Sequence, residues 1–288
     1  MSSAGDAEFQ VVDVFSDRPY SGNPTCVCFS EGASDAWMSK FAMESNQPTT
    51  SFVDLSAGSY RTFGPNGVEL SILSGHSSLG VAAAVFSSSP GLAAAKLSTR
   101  YGTVHMAYDG EMYEVGLPRI TGAEIENVPL APLQSALGLA DAEDVLRHGS
   151  VLGDRFLFLE VTPESFSAMT PDIGAIRVLT AGKVGLFVTA EGMAVGHPAC
   201  PQPERVAFSA RNFVPSLGID EDIATGSIQA FLNPYWADRL GWQGAQNVPL
   251  LCWQNSPRGG LIRSRQQADA ILVAGQCAMS LRGTAPRC

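Results

Sequence analysis

Glu44, His76 and Asp222 are the residues of this chain whose types and surroundings best suit proton transfer. Glu44 ends a helical segment in Met43-Glu44-Ser45-Asn46. His76 sits in Ser74-Gly75-His76-Ser77-Ser78, and Asp222 opens Asp222-Ile223-Ala224-Thr225-Gly226-Ser227. Carboxylates and an imidazole in a partly buried cleft exchange protons well, because desolvation pulls a carboxylate towards neutrality. Each also has a plainer role: Glu44 as a surface residue, His76 as a satisfied core histidine, Asp222 as a helix cap. Gly75 and Gly226 each lead into an apolar run and so mark helix starts. A helix start offers unpaired N–H groups and the positive end of the dipole, which suit a substrate carboxylate; ordinary capping is the alternative.

The elements that must position these residues are legible in part. Phe9 to Phe15 alternates as a strand. Arg18, Pro19 and Ser21-Gly22-Asn23-Pro24 form a turn before a second strand, Thr25 to Phe29. Ser34 caps a helix over Asp35 to Glu44, which frays near Asn46-Gln47-Pro48. Short strands follow at Thr50 to Asp54 and Tyr60 to Phe63, then the turn Gly64-Pro65-Asn66-Gly67. Leu79 to Phe86, apolar on all sides, reads as a buried helix. The plan then recurs. Phe63-Gly64-Pro65 precedes Gly75, and about 150 residues later Phe213-Val214-Pro215 precedes Gly226 and Ser227 to Leu232. This suggests duplicated lobes, each a sheet wrapped round one helix. Pro234 is expected to kink or end the second helix near Asn233. The crossover is expected within Ile120 to Pro132, and Ala270 to Leu281 alternates as a final strand.

Bulk properties exclude several classes. The 288 residues suit one large domain or two of about 150. Net charge is −10 with 18 Lys and Arg and no basic run, a poor match for nucleic acid. No segment approaches the roughly 20 apolar residues of a membrane span, and Met1 to Gln10 lacks the apolar core of a signal peptide; a cytoplasmic location is the default. Cys26, Cys28, Cys200, Cys252, Cys277 and Cys288 form no C-x-x-C pair and read as reduced, mostly buried thiols, Cys26 and Cys28 on one strand face. His76, His105, His148 and His197 show no ligand spacing, so no metal is expected.

The motifs together resemble those of the PhzF-like isomerase family of phenazine biosynthesis. Val12-Asp13-Val14-Phe15 and Gly22-Asn23-Pro24 resemble the family's opening. Glu44-Ser45-Asn46 with Thr50-Ser51-Phe52 resembles its E-x-N-x-x-x-T-x-F segment, and Arg61-Thr62-Phe63-Gly64-Pro65 its R-x-F-x-P. Gly75-His76-Ser77-Ser78-Leu79-Gly80 resembles G-H-P-T-L-G. Arg211-Asn212-Phe213-Val214-Pro215 with Gly218 to Ser227 resembles R-x-F-x-P-x-x-G-x-x-E-D-P-A-T-G-S, the most specific of these. The resemblance runs from about Val11 to Gly275.

It implies an α+β, diaminopimelate epimerase-like fold. Two pseudo-symmetric lobes, residues 1–122 with the last strand (about 270–288) and residues 123–269, would each be a mixed sheet or barrel round a central helix. It also implies a cofactor-independent isomerase acting in the cleft between lobes and, by family, a homodimer in secondary metabolism. Glu44 matches the general acid/base, and His76 and Asp222 the residues that hold and polarise a small-molecule substrate. Gly75, Ser77, Gly226, Ser227 and Asn23 match substrate-binding positions. Related racemases keep a thiol beside each helix start, where this chain has Ser74 and Thr225. An unactivated hydroxyl is too weak a carbon base at neutral pH, which leaves Glu44. The chain departs from the family at Thr49 (Glu there), at Leu70 with Glu69 one place off, at Ser77 and Ile223 (Pro there), and at Ile262-Arg263-Ser264-Arg265. The changed pocket points away from the phenazine precursor. A cyclase or rearrangement enzyme on the same scaffold, and a non-catalytic ligand-binding protein, are the alternatives.

Overall fold

The computed structural model describes residues 5–120, 130–139, 142–151, 155–192, 200–242 and 247–287. The chain divides into two compact units, Met1–Leu117 with Leu272–Cys288, and Pro118–Ile271. The first holds β1 (Ala7–Val14), β2 (Asn23–Phe29), α1 (Asp35–Ser45), β3 (Thr50–Asp54), β4 (Ser59–Phe63), α2 (Gly75–Ser88), β5 (Ala94–Thr99), β6 (Gly102–Tyr108) and β7 (Tyr113–Pro118). The second holds α3 (Leu130–Leu137), β8 (Val145–Val151), β9 (Phe156–Val161), α4 (Pro163–Ala168), α5 (Ile173–Leu179), β10 (Gly185–Glu191) and β11 (Phe208–Val214). After these come β12 (Ile219–Asp222), α6 (Gln229–Arg239), β13 (Leu250–Gln254) and β14 (Gly260–Gln267). The boundary falls within β15 (Ala270–Gly275), and β16 (Cys277–Ala285) rejoins the first unit.

In the first unit β1 pairs antiparallel with both β16 and β2. β2 and β3 are parallel across α1, β3 and β4 antiparallel, β4 and β5 parallel across α2, and β5, β6 and β7 antiparallel. Parallel neighbours need a long crossover, and each carries a helix. The second unit repeats the alternation. β9 and β10 are parallel across α4 and α5, β10 and β11 antiparallel, β11 and β13 parallel across α6, and β13 and β14 antiparallel. The shared R-x-F segments end in matching contacts. Arg61 lies over the Phe63 ring at 5.3 Å and bonds Glu69 at 2.7 Å. Arg211 lies over Phe213 at 5.0 Å and grips Glu221 through two bonds of 2.7 and 2.8 Å.

Packing follows the sequence pattern. α1 is capped by Ser34, whose hydroxyl accepts from Trp37 N, and it lays Trp37, Met38 and Ala42 against Cys28, Phe52 and Phe63. α2 is buried from Gly75 to Phe86, as the apolar run Leu79 to Phe86 requires. It approaches β2 so closely that a Cβ on Gly80 would lie 2.2 Å from Thr25 Cγ2. In the second unit α3, α4 and α5 bury Leu133, Leu137, Phe166 and Ile176 against Leu157, Leu159, Leu186 and Phe213. Among the described residues no helix is long and apolar enough to cross a membrane. Cys26 and Cys28 are buried on β2, and burial pushes the Cys28 thiol up to about 12.

Three local expectations need correction. The second helix begins at Gln229, not at Gly226 or Ser227. Those two residues form a tight turn in which Gly226 O accepts from Gln229 N and Ser227 O from Ala230 N. Pro234 lies inside α6 without ending it, and it leaves no carbonyl orphaned. The missing N–H would have bonded Ala230 O, which instead accepts from Ile120 N at 3.0 Å. Leu130–Pro132, expected in the crossover, begins α3, since proline is tolerated in a first turn; positions 121–129 of that crossover lie outside the described residues, as do His197 and Cys288. The final strand is two, β15 and β16, divided at Gln276.

Candidate active site

His76 is the centre of the first unit's polar cluster. Ser74, in extended conformation, is the N-cap of α2, and its hydroxyl accepts from Ser77 N at 3.4 Å. The Ser74 carbonyl accepts from the hydroxyls of Ser77 (3.1 Å) and Ser78 (2.7 Å). The Ser78 proton is committed there, so the Tyr60 hydroxyl, 2.7 Å away, donates to Ser78 and ties α2 to β4. Burial raises the Tyr60 pKa, which keeps it a donor. His76 is 6% exposed and meets Thr49, the residue before β3. Its Nε2 meets Thr49 Oγ1 at 3.0 Å and its Nδ1 meets Ser74 Oγ at 3.2 Å. Thr49 Oγ1 lies 2.7 Å from Thr25 Oγ1 on β2.

The other first-unit residues stand around this cluster. Gly75 and Ser77 are buried in the first turn of α2, and Ser77 spends its hydroxyl on Ser74 O. Asn23 is fully buried at the head of β2. Glu44 is exposed in the last turn of α1, not in the partly buried setting the sequence suggested. Its neighbour Ser45 ties that turn to β3 through a 2.8 Å contact with Thr50 Oγ1, one residue beyond Thr49. Asn46, the C-cap, ends α1 in the left-handed conformation that Asn tolerates. Glu69, one place off the family's acidic position, is held by Arg61.

In the second unit, β12 folds back on β11 and sets Asp222 opposite Asn212. The Thr225 hydroxyl is the hub. It accepts from Asn212 Nδ2 at 3.0 Å and from Gln254 Nε2 at 3.1 Å, so its own proton goes to Asp222 Oδ2 at 2.5 Å. The same Gln254 amide accepts from Thr225 N (2.7 Å) and donates to Asp222 O (2.8 Å), while Ser256 Oγ donates to Ile223 O (2.6 Å). Both faces of the segment before Gly226 and Ser227 are thereby fixed.

The structure brings Gly75, His76 and Ser77 into one cluster with Ser74, Thr49 and Thr25, and Asp222 into another with Thr225, Asn212 and Gln254. In each unit a hydroxyl touches the ionisable side chain: Ser74 meets His76, and Thr225 meets Asp222. Sequence reasoning did not find Thr25, Asn212 or Gln254 as site residues. Asn212 occupies the unspecified position of R-x-F, and Gln254 ends the apolar strand Leu250–Gln254 far from either motif. No group of three or more His, Cys, Asp or Glu among the described residues has the arrangement of a metal site.

Comparison with known proteins places these clusters in context. The family model of phenazine biosynthesis-like proteins (PhzC-PhzF) matches residues 12–283. An uncharacterized isomerase of Pseudomonas aeruginosa is 33% identical over 281 residues, covering 96% of this chain and 97% of that protein. The human phenazine biosynthesis-like domain-containing protein is 28% identical over 310 residues, covering 95% and 97%. The crystal structure of a PhzF family protein from Enterococcus faecalis superposes with a TM-score of 0.81 at 28% identity, covering 98% of this chain and 99% of that one. A hydroxyproline epimerase from Agrobacterium vitis shares the fold with a TM-score of 0.55 at 13% identity, covering 99% and 92%. The α+β epimerase-type fold follows from these likenesses, and the chain belongs to the phenazine biosynthesis-like family.

Proposed function

We propose that the protein is a cofactor-independent isomerase of a small carboxylate- or carbonyl-bearing metabolite. Glu44 carries the proton, and His76 and Asp222 hold and polarise the substrate. Gly75, Ser77, Gly226, Ser227 and Asn23 contribute to binding. The observation that carries this reading is the state of Thr225. With two N–H groups donated to it and its proton given to Asp222, its oxygen has no capacity left to act as a base. This bonding argues against a two-base mechanism through Ser74 and Thr225 and supports a one-carboxylate reading through the exposed Glu44. Relatives named isomerases support the class of reaction.

The test is a pair of experiments on a panel of small carboxylates. Glu44→Gln keeps the side chain's size and removes its acid–base capacity, so turnover should fall by about 10²–10⁴-fold with the melting temperature unchanged. Activity within about tenfold of the parent would overturn the role of Glu44. Turnover in deuterium oxide should place deuterium on the accepting carbon, with less than one equivalent if the site closes against water. Unlabelled product together with an inactive Glu44→Gln variant would favour an acid-triggered cyclisation or rearrangement instead.

A further inference from the structure

The contacts around His76 permit two arrangements of protons, and they are not equivalent. In one, Thr25 donates to Thr49 Oγ1, Thr49 donates to Nε2, and Nδ1–H donates to Ser74 Oγ. The Ser74 proton then has no acceptor among these groups. In the other, Thr25 donates to the Thr49 carbonyl at 3.2 Å, and Thr49 donates to Thr25 Oγ1 at 2.7 Å. Nε2–H then donates to Thr49 Oγ1 at 3.0 Å, and Ser74 donates to Nδ1 at 3.2 Å. Every hydroxyl proton and the ring proton are then used, which buried polar groups strongly favour. Thr25, Thr49, His76 and Ser74 are all buried. Among the described residues the Thr25 hydroxyl bonds the hydroxyl and carbonyl of Thr49 alone, so it braces the ring.

We propose that Thr49, backed by Thr25, is a positioning residue that fixes His76 as the Nε2–H tautomer, with Nδ1 accepting from Ser74. The tautomer of an imidazole is set by the bond its other nitrogen makes. Ser74 consequently turns its proton inward to the ring and presents only lone pairs elsewhere. The inference rests on the reading of His76 as a substrate-holding residue and refines it: the Ser74 oxygen suits an N–H or O–H group of a bound molecule better than a bare carboxylate.

The test needs no substrate, so it stands or falls apart from the Glu44 experiment. Uniformly 15N-labelled full-length protein is examined by long-range 1H–15N correlation of its imidazoles at pH 7.5, with His76→Asn identifying the signals of His76. The parent should show a pyrrole-type Nε2 and a pyridine-type Nδ1. Thr49→Val removes the acceptor, and the pattern should invert or become mixed; Thr49→Ser should restore it. Ser74→Ala should leave Nε2 protonated. Should Thr49→Val fail to fold, Thr25→Val serves the same end. It deprives the Thr49 proton of its acceptor, turns that proton onto Nε2, and should invert the tautomer with Thr49 intact. A parent ring protonated at Nδ1 or on both nitrogens, or a pattern unchanged in both valine variants, would overturn the proposal.

Discussion

At the scale of the residue, Thr225 shows how little freedom a hydroxyl keeps once buried among amides. Gln254 matters because one side chain serves three partners: it accepts from Thr225 N and donates to Asp222 O and Thr225 Oγ1. Its amide orientation is decided by these bonds, since Thr225 N can only donate and Asp222 O can only accept. Gln254→Leu keeps the bulk and strands a buried N–H, so it should cost about 1–3 kcal/mol in urea unfolding. A change within about 0.5 kcal/mol would mean that the amide is dispensable to the fold. Asp222 itself was readable in the sequence because it lies inside a specific motif. Gln254 was not, because its role arises from parallel pairing of β13 with β11, where Ala210 lies beside it, and such pairing leaves no local pattern.

At the scale of the element, α2 and α6 differ in how legible they were. α2 announces itself through Ser74, Gly75 and an unbroken apolar run, and the structure starts it at Gly75. α6 follows a glycine too, but Gly226 and Ser227 lie in a turn tightened by i to i+3 bonds, and the cap Ile228 has no side-chain oxygen to accept. Pro234 does not end α6, and Ile120, far off in sequence, takes up the carbonyl that its missing N–H leaves behind. The short strand β12 escaped notice because Ile219-Asp220-Glu221-Asp222 is nearly all acidic and pairs only at Asn212 and Val214. Gly80, by contrast, sits in a recognised motif, and its cause is now geometric. A methyl group there would strike Thr25. Gly80→Ala should destabilise the protein by about 1–3 kcal/mol through overpacking, read by thermal or urea unfolding. It should also disturb the His76 ring signals, because Thr25 is the foot of the brace. A variant of parental stability would mean that the helix can retreat from β2 without cost.

At the scale of the whole molecule, the first unit is built from both ends of the chain. β16 pairs with β1 from Ala7 opposite Ala285 to Val14 opposite Cys277, with one bulge between Val11 and Val12. Ser280 Oγ reaches Val11 O across 269 residues of sequence. Contacts of such separation form late and slow folding. A chain ending at Gly275 would leave the row of N–H and C=O groups on that side of β1 unpaired, a ready template for aggregation. Expressed without residues 276–288, the protein should therefore be recovered largely as aggregate, or lose the cooperative melt of its first unit. A soluble truncated protein with the parental melting temperature would show that β1 does not depend on β16.

The unequal bonding of Ser74 and Thr225 also bears on redesign. Exchanging oxygen for sulfur at Ser74 disturbs one 3.2 Å contact to the ring and one long backbone bond of 3.4 Å. At Thr225 the same exchange weakens the donor to Asp222 and the acceptor of two amides, and it removes a methyl group as well. An engineer introducing thiols would therefore find Ser74 the more permissive position. Thr225 would resist until Asn212 and Gln254 were rewritten with it, so a single substitution is tolerated at one position and not at the other.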